Sequence, residues 1–216
     1  MDRTPLNAAA ETRNGLAGTA GRGAPSPTPL SVRVVYGTSE GQTEKIARFL
    51  AERLAGRGHR LELIDAARDC GTPQPQPQRF DAIVIAASVH AGRYQPAVTE
   101  YVRRHLRDID SRPNAFLSVS LSAASSVASD LEGLKRCVET FRRETRWTPR
   151  IVHHAAGALR YSAYSLIKRW ALRAIARRRG APTDTHRDHE LTDWADLARF
   201  CTVLDQSFTS ARTADR

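Results

Sequence analysis

Residues 32–43, VRVVYGTSEGQT, pass from an apolar run through a short Gly, Ser and Thr loop straight into a helical pattern. The run reads as a strand that stops at Tyr36, and Ile46, Phe49, Leu50 and Leu54 recur at helical spacing over 41–56. A strand end and a helix start this close together leave unpaired backbone N–H groups aimed at one spot, where the helix dipole also favours an anion. The hydroxyls of Thr38, Ser39 and Thr43 add donors. The loop matches neither GxxxxGK followed by Ser or Thr nor GxGxxG, so a nucleoside triphosphate and a dinucleotide both lose weight and a monophosphate fits better.

Outward from this stretch, short strands alternate with amphipathic helices. Residues 31–36, 81–88 (DAIVIAAS), 115–120 (AFLSVS) and 150–157 (RIVHHAAG) read as buried strands, and 60–64 (RLELI) as a shorter, alternating one. Helices are predicted over 41–56, over 96–107 with Pro96 in its first turn, over 130–145 behind Ser129 as a cap, and from about Asp193 to Leu204. This alternation implies an α/β fold: a parallel sheet covered on both faces and joined by right-handed crossovers. Such sheets bind ligands beyond the carboxyl ends of the strands, where the strand order reverses.

Three loops rich in small polar residues leave those ends: GTSEGQT, then Ser88-Val89-His90-Ala91-Gly92-Arg93-Tyr94, then Ser120-Leu121-Ser122-Ala123-Ala124-Ser125-Ser126. Together they would grip one ligand with a planar ring. Gly92 permits close approach, and His90 and Tyr94 offer rings for stacking. Taken singly, the second and third loops are equally well read as ordinary turns, because turns favour these residue types.

Composition sets the limits. A chain of 216 residues with 41% hydrophobic content buries one ordinary core. The expected organisation is an N-terminal tail over 1–29, a domain over 30–208 and a loose C-terminal tail over 209–216. The first 29 residues have almost no large apolar side chains to offset the entropy of ordering, and they lack the apolar stretch of a signal peptide. Cys70, Cys137 and Cys201 are dispersed, with no CxxC pair, which suggests neither a disulfide framework nor a zinc site and makes a reducing, cytoplasmic location the default. No run approaches the roughly 18–20 apolar residues of a membrane-spanning helix.

The residues GTSEGQTEKIA (37–47), DAIVIAASVHAGRYQPAVTEYV (81–102), SRPNAFLSVSL (111–121) and AGALRYSAYSLIKRWALRAIARRRGAPTDTHRDHELTDW (156–194) resemble the flavodoxin family. Within it, the last segment is similar to the branch of bacterial quinone-dependent protoporphyrinogen oxidases. The likeness covers about residues 31–203. It implies a flavodoxin-like five-stranded parallel sheet with helices on both faces and a basic helical insertion before the last helix. It also implies FMN as cofactor, with phosphate contacts on Thr38, Ser39, Gly41, Gln42 and Thr43. Contacts to the isoalloxazine ring fall on Ser88, Val89, His90, Gly92 and Tyr94 and on Ser120, Leu121 and Ser122. Family members usually carry a neutral residue where this chain has Glu40, and a carboxylate facing a phosphate would be repelled, so Glu40 is expected to point outward. The activity implied is oxidation of protoporphyrinogen IX with a quinone as electron acceptor, in haem biosynthesis. An FMN electron carrier, or another quinone-linked flavoprotein, without that activity is the alternative, although electron carriers of this kind tend to be acidic.

The insertion, about 160–190, holds Arg160, Lys168, Arg169, Arg173, Arg177, Arg178, Arg179 and Arg187, and accounts for much of the net charge of +10. On a helix over 162–179, Ala163, Leu166, Ile167, Trp170 and Ala174 form an apolar stripe, with Arg169, Arg173 and Arg177 on a neighbouring face. Three readings stay open: arginines simply solvated on a packed helix, a helix lying on an anionic membrane surface, or a dock for the carboxylates of a porphyrinogen. Arg160 and Tyr161, just past a strand end, are the candidates for substrate contact. Nucleic acid is not an expected partner, because the chain has no helix-turn-helix, RNP or zinc-finger pattern. No metal site is expected either: His153 and His154 point to opposite faces of a strand. No catalytic side chain is assigned, since the flavin would carry the redox chemistry.

Overall fold

The computed structural model describes residues 28–69, 79–125, 127–159 and 189–214. In chain order they form β1 (Ser31–Gly37), α1 (Gln42–Ala55), β2 (Arg60–Asp65), β3 (Ala82–His90), β4 (Arg93–Tyr94), α2 (Pro96–Arg104) and α3 (Leu106–Asp110). Then follow β5 (Asn114–Ser120), α4 (Ala128–Thr145), β6 (Ile151–Ala156), β7 (Ala158–Leu159), β8 (His189–Glu190) and α5 (Trp194–Ala214). The main sheet has the order β2-β1-β3-β5-β6, its strands parallel, with the two-residue β4 antiparallel to β3. This is the flavodoxin-like doubly wound order, whose direction of winding reverses between β1 and β3.

The apolar runs of β1, β3 and β5 are nearly continuous because helices cover both faces of the sheet. On one face α1 contributes Ile46, Ala47, Leu50 and Leu54, and α5 contributes Leu197, Phe200, Cys201, Leu204 and Phe208. They pack on Val32, Val34, Val84, Leu117 and Val119. On the other face α2 and α4 bring Val98, Tyr101, Val102, Val138 and Phe141 against Val35, Ile83, Ile85 and Phe116. Phe116 is at the centre of an aromatic group, 4.9 Å from Phe141, 5.0 Å from Tyr94 and 5.8 Å from Trp147 between ring centroids.

One close approach decides where the site forms. A Cβ on Gly37, the last residue of β1, would lie 2.3 Å from Val98 Cγ2, so only glycine lets the start of α2 reach the end of β1. At the opposite end of the sheet, buried His59 closes the fold. Its Nδ1 accepts a hydrogen bond from the Leu30 N–H at 3.2 Å, and its Nε2 lies 2.8 Å from Asp205 of α5.

Three boundaries differ from the sequence reading. The helix expected over 96–107 ends at Arg104, where His105 leaves helical geometry, and α3 starts afresh. Helix α4 begins at Ala128 with Val127 as its cap, so Ser129 lies inside the helix instead of capping it. Helix α5 runs on through 209–214, a stretch expected as a loose tail, because the apolar spacing continues to fully buried Phe208.

Replacing Phe116 with alanine removes the ring at the centre of the aromatic group and should lower the unfolding free energy by about 3–5 kcal/mol. Urea denaturation of purified protein measures the loss, with the slope of the transition unchanged.

Candidate functional site

The carboxyl ends of β1, β3 and β5 meet at the reversal point, and hydrogen bonds between their loops hold them as one unit. The first loop turns sharply: the Gly41 N–H donates to Thr38 Oγ1 at 2.8 Å, and Gly41, with φ 85°, is the left-handed residue from which α1 starts. No side chain caps α1. The Thr43 hydroxyl in its first turn is buried with no hydrogen-bond partner. An uncapped helix start beside an orphaned buried hydroxyl is an arrangement that an anion completes. The first-turn carboxylate that would oppose an anion, Glu44, is drawn back along the helix by Arg48, whose Nε and Nη2 donate to it at 3.0 and 2.7 Å. Glu40 is half-buried.

The second loop is a β-hairpin. Ala91 and Gly92, with φ of 50° and 78°, form a two-residue turn that pairs Val89 with Tyr94 and His90 with Arg93. The reversal turns Tyr94 inward. Its ring is buried edge-on against Phe116 and Phe141, and its hydroxyl donates to Ser118 Oγ at 2.8 Å. Burial pushes its ionisation well above the ordinary tyrosine range. Tyr94 is therefore not placed to stack on a ligand ring, because its aromatic face is spent on the core. His90 and Gly92 at the hairpin tip are exposed.

In the third loop, Ser120 Oγ accepts the Ala123 N–H at 3.1 Å and shapes a single 3-10 turn over Leu121–Ala124. Leu121 is exposed and Ser122 half-buried.

Two links that the sequence reading missed join these loops. Gln95, ahead of α2, spans the first two: its Nε2 donates to Ser88 Oγ and lies 3.2 Å from Ser39 Oγ. The second link runs from the third loop to the first. The Gly157 N–H donates to Ser120 O at 3.1 Å, and the Leu191 N–H to Gly157 O at 3.1 Å. Gln42 Nε2 then donates to Thr192 Oγ1 at 2.9 Å, so the Gln42 side chain faces Thr192 and its backbone N–H is what it has to offer a ligand. Beside Thr192, both oxygens of Glu190 accept: Lys45 Nζ donates to Oε2 and Trp194 Nε1 to Oε1, each at 2.6 Å. Burial alone would raise this carboxyl, but those donors outweigh it and hold its ionisation below the ordinary glutamate value.

Of the expected site residues, Thr38, Ser39, Gly41, Gln42 and Thr43 lie together at the first strand end, while Ser88, Val89, His90, Gly92, Ser120, Leu121 and Ser122 lie on the two adjoining loops. Arg160, Tyr161 and the basic helix over 162–179 lie outside the described residues. His153 sits 2.8 Å from Asp196 and stacks on Phe200, while His154 is exposed on the opposite face. Among the described residues no three metal-binding side chains come together.

A sequence profile of the flavodoxin domain matches residues 33–186. The chain belongs to the flavodoxin domain family. This flavodoxin domain is 32% identical over 177 residues to the protoporphyrinogen IX dehydrogenase (quinone) of Escherichia coli K12, a match spanning 79% of the chain and 92% of that relative. It is 27% identical over 168 residues to the Leishmania major protein of the same name, spanning 77% of the chain and 71% of that protein. Solved structures similar to it include a short-chain flavodoxin associated with a PDU bacterial microcompartment, at TM-score 0.48 and 13% identity over 83% of this chain and 99% of that one. Oxidised flavodoxin 1 from Bacillus cereus follows at TM-score 0.47 and 11% identity, over 82% and 97%.

Two outcomes are expected of this flavodoxin domain. Tyr94→Phe leaves the fully buried Ser118 hydroxyl without its donor and should destabilise by about 1–3 kcal/mol in urea denaturation. Because the folded-state ionisation of Glu190 is depressed, its contribution is present above its unfolded pKa and lost as pH falls through the depressed value. The stability gap between wild type and Glu190→Gln should therefore close on acidification, read from denaturation midpoints across an acid pH series.

Proposed function

We propose that this protein oxidises protoporphyrinogen IX to protoporphyrin IX with FMN as its bound cofactor, and passes the electrons to a quinone, in haem biosynthesis. The observation that carries the reading is the uncapped start of α1 with the buried, partnerless Thr43 hydroxyl, at the strand ends of a chain similar across 92% of a relative named for that reaction. The site suits FMN on its own terms: a monophosphate fills one helix start and a planar ring meets two loops of exposed backbone.

When bound, the flavin ring supplies the redox chemistry, taking electrons from the porphyrinogen and returning them to the quinone. The chain's part is binding and position. The N–H groups at the start of α1, with the hydroxyls of Thr43 and Ser39, would hold the phosphate. The 88–92 hairpin and the 120–122 turn would hold the ring, and Gln95 keeps the first two loops at a set spacing by holding Ser39 and Ser88. Tyr94 and Ser118 fasten the hairpin to β5 from beneath, so the ring meets a prearranged surface. Arg160 and Tyr161, the two residues that follow β7 in sequence, are assigned to the substrate, whose propionate carboxylates an arginine would hold bidentately.

The protein acts as a peripheral protein at the inner face of the cell membrane, where a lipid-soluble quinone is reached. No helix among the described residues is long and apolar enough to cross a membrane. The basic stretch 162–179 supplies the contact: its arginines meet anionic head groups while Leu166 and Trp170 enter the interface.

Purified, FMN-supplemented protein under anaerobic conditions should generate protoporphyrin fluorescence from protoporphyrinogen IX only when a menaquinone analogue is also present. Fluorescence that fails to grow while FMN is bound and reducible would mark an electron carrier instead. Changing Arg169, Arg173 and Arg177 together to Gln should abolish co-sedimentation with anionic vesicles and leave FMN binding intact. Unchanged sedimentation would remove the membrane contact.

A further inference from the structure

Residues 157–159 and 189–192 frame the two ends of the insertion. Ala158 pairs with Glu190 and Leu159 with His189 as an antiparallel stem, and below it the Leu191 N–H donates to Gly157 O at 3.1 Å. Instead of standing free at the end of β6, the returning strand crosses the first turn of α1. Trp194 packs on Phe49 with ring centroids 4.9 Å apart, and the Lys45 ammonium sits 5.1 Å from the Trp194 ring centroid while it pairs with Glu190. At the centre of the crossing, the Thr192 hydroxyl donates to Ala156 O at 2.9 Å and accepts from Gln42 Nε2 at 2.9 Å.

That hydroxyl is a relay. It takes one hydrogen bond and gives one, so it ties the end of β6 to Gln42, the first residue of α1. Helix starts without a side-chain cap are their least restrained part, and α1 starts from a left-handed glycine with none. The Gln42 side chain is buried, and its neighbour Thr43 holds the buried hydroxyl that lacks a partner. The stem therefore restrains from outside the turn whose N–H groups converge on the phosphate position.

We propose that Thr192 is a positioning residue for the cofactor phosphate, acting through Gln42, so that the base of the insertion belongs to the phosphate-binding apparatus. The inference rests on the flavin reading above and adds a residue far from the first loop in sequence. Coupling runs both ways: a group that binds better to the restrained turn must in turn stabilise the stem.

The test is a comparison of FMN with riboflavin, the same ring without the phosphate. Thr192→Val keeps shape and removes the relay. It should weaken FMN binding about tenfold, the effect of one lost hydrogen bond that orders a charged contact, and leave riboflavin binding unchanged. Thr192→Ser, which keeps the hydroxyl, should restore FMN affinity. Gln42→Met removes the donor at the other end of the relay and should repeat the valine result, so the inference stays testable if Thr192→Val does not fold. In the wild type, FMN should slow hydrogen exchange of the Leu191 amide more than riboflavin does. Equal weakening of both ligands, wild-type FMN affinity in the variants, or a serine variant no better than valine would overturn the inference. A wild type that binds neither ligand would remove the flavin reading, and this inference with it.

Discussion

The site depends on the absence of one side chain. Gly37 ends β1 where the start of α2 comes down on it, and a methyl group there would collide with Val98. Because the two elements touch, Gln95, immediately ahead of α2, reaches both Ser39 on the first loop and Ser88 at the end of β3. A wider separation would leave the first and second loops independent of each other. The same packing seats Val98 in the core that holds Phe116, Phe141 and Tyr94, so the loops rest on close-packed aromatic rings.

The second governing feature is how charge is distributed. The chain is strongly basic, with a formal net charge of +10, yet among the described residues the two cations in the first turns of α1 are both paired. Lys45 is engaged by Glu190 and Arg48 by Glu44, so among the described residues the donors at the helix start are backbone N–H groups and hydroxyls. Such donors recognise an anion by geometry, and their strength comes from alignment with the helix dipole. Glu190 has a structural part in this: with both oxygens occupied by Lys45 and Trp194, it keeps the ammonium group on the stem side of α1.

Much of the architecture was legible in local pattern. The apolar runs of β1, β3 and β5 and the helical spacing of Ile46, Leu50 and Leu54 are the direct imprint of a sheet covered on both sides. The extension of α5 was missed even though Leu204 and Phe208 continue the spacing of Leu197, Phe200 and Cys201, because the polar residues between them hide it. Tyr94 was misread for a physical reason. Its face depends on whether Ala91 and Gly92 form a two-residue turn, and one residue more or less in that turn would send the ring outward. Gln95 and Thr192 carried no local signal, because each matters only for a hydroxyl or amide distant in sequence.

By itself, the sequence determined the alternation of strands and helices, the tight Gly, Ser and Thr loop at 37–43 that leads into a helix, and the family, because each is written in neighbouring residues through period, turn chemistry and helix-start composition. Only the tertiary structure decided which side chains are spent holding the loops together. Those roles turn on distances between residues such as Gln42 and Thr192, which lie far apart in the chain and meet only when β6, the stem and α1 pack together.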